Sequence, residues 1–282
     1  MDHITGDGFI MKKVILVWLA MLFASVASAQ SFDHSHAAFT ALLKKFVVSV
    51  DGGKTSKVKY AALKYDQPQL KSYLDSLSSV TAAEFGGWNK SQQMAFLINA
   101  YNGYTLELIL QNYPLKSIKD IGGTFDNRWK RKFFKLLGQD SYLDKIEHET
   151  LRKPGVYNEV RVHYAVNCAS IGCPALREEA FVADRLDKQL EEQAVRFLSD
   201  RSRNRYKNGK LEVSMIFNWF KEDWTSGYTG FDGKTPAITS REDYFARYAK
   251  LLADSPADQQ SITEKKAGIS HPDYDWSLNG AN

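Results

Sequence analysis

Between Asn89 and Asn112 the chain sets Met94, Leu97, Ile98, Tyr101, Thr105, Leu108 and Ile109 at steps of three and four residues. That spacing lines one face of an α-helix, and Pro114, which has no backbone N–H to give, stops it. It is the strongest helical signal in the sequence. The segments before it read as helices too. Phe32 to Val50 carries a stripe of Phe39, Leu42, Leu43, Phe46 and Val47 that Asp51-Gly52-Gly53 ends. Tyr60 to Leu77 repeats the pattern with Pro68 placed to open a second helix, and Thr81-Ala-Ala-Glu84 spells a capping box for a short turn ending near Gly86-Gly87.

Extended segments are short. Phe133–Leu137 and Asp140–Tyr142 form a hairpin pattern about Gly138-Gln139, followed by a helix over Leu143–Arg152 that Pro154-Gly155 closes. Val160, Val162, Tyr164 and Val166 alternate with Arg161, His163 and Ala165, a strand pattern that runs into a loop bearing Cys168 and Cys173. Asp184–Leu198 is an amphipathic helix, and Arg203–Tyr206 and Lys210–Val213 pair through Asn208-Gly209. Ser214 caps an aromatic helix over Met215–Trp224, and Arg241–Leu252 is the last helix. With no internal repeat and no linker, the reading is one α+β domain, its helices packed on a small, mainly antiparallel sheet. Residues 30–87 form its N-terminal helical region and 88–282 its core.

Met11-Lys12-Lys13, the apolar run Val14–Phe23 and Ala27-Ser28-Ala29 before Gln30 have the order of a secretory signal peptide, with Met1–Ile10 as an upstream extension. The apolar run is too short to span a bilayer. The expectation is a periplasmic or secreted protein with no stable membrane insertion once residues 1–29 are removed. Thirty-seven basic against 33 acidic residues leave a net charge of +4, too slight an excess to argue for nucleic acid.

Export bears on the chemistry. Two cysteines cannot make a disulfide scaffold. An oxidising compartment does permit a local bridge between Cys168 and Cys173, with Gly172 giving the loop freedom to close. His163 in the same stretch points to a reactive thiol instead, because a neighbouring imidazolium favours thiolate. Both readings stand at this level. Glu147 and His148 either orient His163 and supply a second base, or lie on a solvated helix face. His148, His163, Cys168 and Cys173 are zinc-ligand types, yet their spacing fits no standard zinc site, so neither a metal nor another cofactor is expected. Asn99 and Asn102 share a helix face and either hold backbone or orient a ligand. Asn167 and the loop amides are candidates for stabilising an oxyanion. Phe217, Trp219, Phe220 and Trp224 pack in the core or line a ligand groove, Trp219 being the candidate contact. His34 and His36 read as solvated.

Phe96-Leu-Ile-Asn-Ala-Tyr-Asn102, Ile146-Glu-His148, Val162-His-Tyr-Ala-Val-Asn-Cys-Ala-Ser-Ile-Gly-Cys-Pro174, Ile216-Phe-Asn-Trp-Phe-x-x-Asp-Trp224 and Tyr274-Asp-Trp-Ser-Leu-Asn279 occur in that order. Together they resemble domain of unknown function family 547, from about Trp88 to the C-terminus. The resemblance implies a fold similar to papain-like or transglutaminase-like cysteine hydrolases. On that footing the catalytic set is Cys168 or Cys173, His163, and Glu147 or His148, with the histidine here preceding the cysteine. The expected function is a cysteine-dependent hydrolase or transferase acting on an amide or thioester of a peptide-like small molecule. The alternative is a non-catalytic binding or assembly module held by a Cys168–Cys173 disulfide.

Overall fold

The computed structural model describes residues 31–122 and 127–281; residues 1–29, where a signal peptide was expected, lie outside them. The first helix, α1 (Ala37–Phe46), stops earlier than its apolar stripe suggests. Val47–Val50 (β1) turns back through Asp51, Gly52 and Gly53, all at positive φ, and pairs antiparallel with Thr55–Val58 (β2). The β-branched valines of β1 suit a strand better than a helix turn, and the glycines take the left-handed backbone cheaply. Helices α2 (Tyr60–Tyr65) and α3 (Gln67–Ser79) follow, with Pro68 in the first turn of α3. In α4 (Ala82–Gly86) the Thr81 hydroxyl accepts the Glu84 N–H.

Helix α5 (Lys90–Asn112) opens on a closed capping box: Asn89 Oδ1 accepts the Gln92 N–H, and Gln92 Oε1 accepts the Asn89 N–H. From Met94 to Leu106 every side chain is buried, which makes α5 the core helix around which the others pack. Gly103 lets α3 approach closely, since a Cβ there would stand 2.9 Å from a Leu74 methyl. A hairpin of β3 (Phe134–Leu136) and β4 (Gln139–Ser141) leads into α6 (Leu143–Ile146), which continues as a π-helical turn over Glu147–Leu151.

The strand expected over Val160–Val166 is instead a helical turn, α7 (Val162–Ala165). All residues from Glu159 to Asn167 are buried. The alternation of apolar and polar types therefore marks no solvent-facing side, and Arg161 and His163 are buried among acidic partners. This segment runs between two apolar clusters. One is built on α1, α3 and α5; the other on Phe197 and Leu198 of α8 (Leu186–Leu198) with Phe217, Trp224, Tyr244 and Phe245.

Beyond α8, the hairpin β5 (Arg205–Lys207) and β6 (Lys210–Glu212) precedes α9 (Ile216–Trp219), α10 (Arg241–Arg247), α11 (Ala249–Leu252) and α12 (Pro256–Thr263). Then β7 (Gly268–Ser270) adds in parallel to β6. The fold is thus α+β, the strands among the described residues spread over three small sheets, antiparallel apart from the β6–β7 pair. Among the described residues no helix is long and apolar enough to cross a membrane.

Candidate functional site

Three buried asparagines fix the loop after α7. Asn102 donates to the Ala165 carbonyl and accepts the Asn167 N–H, at 2.9 and 2.8 Å. Asn167 donates to the Pro174 carbonyl and accepts the Ala169 N–H, while Asn279 Nδ2 reaches its Oδ1. Asn99 clamps Phe181 through both backbone groups. The sequence left Asn99 and Asn102 either to hold backbone or to orient a ligand, and offered Asn167 for stabilising an oxyanion. All three amides are engaged by buried backbone, the structural alternative for Asn99 and Asn102, where unpaired polar groups would be costly.

Between these anchors Cys168 and Cys173 are joined by a disulfide. The C-terminal tail lies along the loop: Ile171 N–H donates to Ser277, Gly172 N–H to Asp275, and Asn279 N–H to Ala169. Gly172 is required there, because a Cβ would stand 2.8 Å from the Tyr274 ring. The Tyr274 hydroxyl sits 3.3 Å from each sulfur and 3.1 Å from Ser170 Oγ.

The disulfide forms part of the wall of a cavity of about 270 Å³. Trp129, Trp219, Phe220, Tyr274 and Trp276 provide aromatic walls, and Glu147, His148, His163 and Asp144 the polar ones. Cys168, Cys173, His163, Glu147, His148 and Trp219 are therefore brought together on one cavity. No hydrogen bond joins either imidazole to a sulfur among the described residues. Asn99, Asn102 and Asn167 do not line it.

His163 is held from three sides. Its ring stacks between Phe220 and Trp224, with centroids 4.7 and 4.9 Å away, and its Nε2 lies 2.7 Å from Asp223 Oδ2. Arg152, at the end of the π-turn, clamps the same carboxylate through Nε and Nη2 at 2.6 and 3.2 Å, and its Nη1 meets His148 Nδ1 at 2.8 Å. Burial lowers the pKa of His163 against the pull of Asp223. Asp223 is pushed up by burial, but hydrogen bonds from His163 and Arg152 outweigh this and leave it below the usual carboxylate range. The pair is then a neutral imidazole donating Nε2–H to a carboxylate, with Nδ1 left to act as a base. Burial, with Arg152 adding to it, also lowers His148. Burial raises Glu147, partly offset by His163 and by the Tyr101 hydroxyl.

Asp223, Arg152, Tyr101 and Tyr274 complete this arrangement and were not singled out from the sequence, where Glu147 was expected to orient His163. Asp223 and Tyr274 nonetheless fall inside the quoted Trp-Phe-x-x-Asp-Trp and Tyr-Asp-Trp-Ser patterns. Among the described residues no three His, Cys, Asp or Glu side chains are grouped as ligands for a metal ion.

Residues 85–198 match the family described as "Protein of unknown function, DUF547". No curated protein and no solved structure matches the chain. The match takes in α5, the π-turn, His163 and the cysteine loop, whereas Asp223 and the aromatic residues 216–276 lie beyond it. Residues 85–198 are thus a DUF547 domain.

Proposed function

We propose that the chain is an exported, cysteine-dependent hydrolase or transferase acting on an amide or thioester of a peptide-like small molecule. The observation that carries this reading is that both cysteines and a histidine whose imidazole is held by Asp223 line the same aromatic cavity. Ionisable groups buried beside a cavity cost stability, and such clusters concentrate where chemistry needs them.

With the disulfide formed the site is latent. An external dithiol reduces it, supplying two electrons and two protons and becoming a disulfide itself. His163 Nδ1 takes the proton of the released thiol, and the thiolate attacks the acyl carbon. The leaving amine or thiol departs with the proton from His163, leaving a thioester on the enzyme. Water, deprotonated by His163, or an acceptor amine then releases the acyl group and restores the thiol. Asp223 orients the imidazole and stabilises its cationic form, the role the sequence reading gave to Glu147. The Tyr274 hydroxyl serves both sulfurs equally; Cys173 Sγ has in addition the Cys168 N–H at 2.9 Å, and Cys168 Sγ the Ser170 hydroxyl at 3.2 Å, so either thiolate has a donor at hand.

The test is alkylation with iodoacetamide after mild reduction, followed by peptide mapping. Fast modification of one cysteine at neutral pH, slowed at least about tenfold by His163→Ala, is the expected result. Sulfurs that resist reduction in the folded protein, or that react no faster than a free thiol, would overturn it. The bond between Cys168 and Cys173 favours a second reading, a binding module with a structural disulfide. Resistance to reduction is the outcome that reading requires.

A further inference from the structure

Glu147 is 8 % exposed and lines the cavity, yet among the described residues no Lys or Arg forms an ion pair with it, Arg152 acting on it only from beyond contact distance. Arg152, the nearest guanidinium, has Nε and Nη2 on the two Asp223 oxygens and Nη1 on His148. Because arginine can only donate, His148 Nδ1 is an acceptor in that contact. It therefore has no proton to offer Glu147 Oε1, 3.9 Å away. His163 gives its Nε2–H to Asp223. What remains beside Glu147 is the Tyr101 hydroxyl.

Among the described residues neither Lys nor Arg lines the cavity, whose other walls are mostly aromatic. Ring faces attract cations through their quadrupole. Three of these rings already do so: Lys119 Nζ lies 5.0 Å from the Trp276 centroid, the Arg128 guanidinium 5.1 Å from that of Trp129, and the Arg152 guanidinium 4.3 Å from that of Phe220, leaving Trp219 and Tyr274 without such a contact among the described residues. A buried carboxylate without its own cation, enclosed by tryptophan and tyrosine, matches a positively charged ligand. It rejects a negatively charged one, because a second anion there would be both unpaired and desolvated.

We infer that this cavity takes a ligand bearing an alkylammonium group, with Glu147 as its counter-ion and the Trp129, Trp219 and Trp276 wall as its aromatic housing. This rests on the cavity's being the substrate site, and it narrows the substrate class to amides or thioesters that carry a protonated amine.

The experiment is a calorimetric titration of the full chain with butylammonium, with 1-pentanol and pentanoate as neutral and anionic counterparts. It is run in parallel on the Cys168→Ser/Cys173→Ser double variant, in which no thiol chemistry can contribute. Butylammonium is expected to bind saturably to both proteins, at least about tenfold more tightly than 1-pentanol, and pentanoate not at all. Glu147→Gln should weaken butylammonium by about tenfold while leaving 1-pentanol nearly unchanged. If Glu147→Gln does not fold, Trp219→Ala, at a part-exposed ring, serves instead and should weaken butylammonium. Failure of butylammonium to bind, equal or tighter binding of either counterpart, or an ammonium affinity untouched by these substitutions would overturn the inference. Ammonium selectivity that persists while the cysteines prove inert would remove the catalytic reading and keep this one. Fast alkylation without ammonium selectivity would do the reverse.

Discussion

The Asp223 carboxylate stands 2.7 Å from Nε2 of His163, 60 residues away in sequence, and the same carboxylate is forked by Arg152. Asp223→Asn keeps the shape but lets the amide stabilise the opposite imidazole tautomer, which protonates Nδ1 and leaves it unable to take up a proton. Alkylation of the reduced protein should slow by about 10²- to 10⁴-fold, the usual range for losing a positioned base. A thermal melt of the same variant separates this from simple unfolding.

The disulfide spans a sequence separation of 5. Closing so short a loop contributes only roughly 2 kcal/mol, so the reduced protein should remain folded. Urea denaturation with and without reductant measures the difference. A loss of the whole cooperative transition on reduction would contradict the latent-enzyme reading, which needs a folded dithiol state.

His36 was expected to be solvated and is instead buried, with Nδ1 2.8 Å from the Tyr73 hydroxyl and Nε2 without a partner. Burial, reinforced by His34 and opposed by Asp33, lowers its pKa to about 4 from 6.5. Between those values the unfolded chain binds more protons than the folded one. The contribution of neutral His36 is therefore complete above pH 6.5 and is lost as pH falls toward 4, by about 1.4 kcal/mol for each unit of pKa difference. Melting temperatures at pH 7 and pH 5 should differ less in His36→Phe than in the parent protein.

Asn102→Ala would strand the Ala165 carbonyl and the Asn167 N–H, both buried. Leaving such groups unpaired costs about 1–3 kcal/mol each, and equilibrium unfolding should register it. The same change frees the loop behind the cysteines, so the disulfide should also become more accessible to reductant.

Gly172→Ala places a methyl 2.8 Å from the Tyr274 ring. The ring must move, drawing Trp276 and Trp219 with it, since these three pack on one another. A destabilisation of about 1–3 kcal/mol with a change in tryptophan emission is expected. Unchanged emission would show that the tail shifts as a unit without disturbing the aromatic wall.

Local signals in the sequence carried much of the fold. The spacing around Leu97 and Tyr101, the Thr81 cap, Pro68, and Asn208-Gly209 each determine structure through neighbours a few residues away. They appear in the structure close to where they read. The failures have a common cause. Alternation across Val160–Val166 implies a strand only if one face meets water, and here two apolar clusters bury both. Val47 continues the stripe of α1 in pattern, but the turn at Asp51-Gly52-Gly53 draws it into a hairpin. At the site, Glu147, His148, His163 and the cysteines were visible as dense runs of reactive types. Asp223 and Arg152 were not, because only packing across the second apolar cluster carries them to His163. The asparagines were noticed for being polar on an apolar helix, but their partners are backbone groups that no side-chain pattern displays.

Tyr274 and Trp276 close the aromatic wall from a tail stitched to residues 169–172 and, through Leu278 and Ala281, to Lys116 and Val58. During synthesis, then, the cysteine loop and His163 emerge roughly a hundred residues before the wall that will enclose them. Until the tail arrives, both sulfurs lie open to whatever oxidant or thiol the compartment holds, so the bridge can form before the cavity exists. Maturation would thus decide the redox state of the loop first and its selectivity second. A fragment ending soon after α8 would keep its cysteines but lose the means to choose what reaches them.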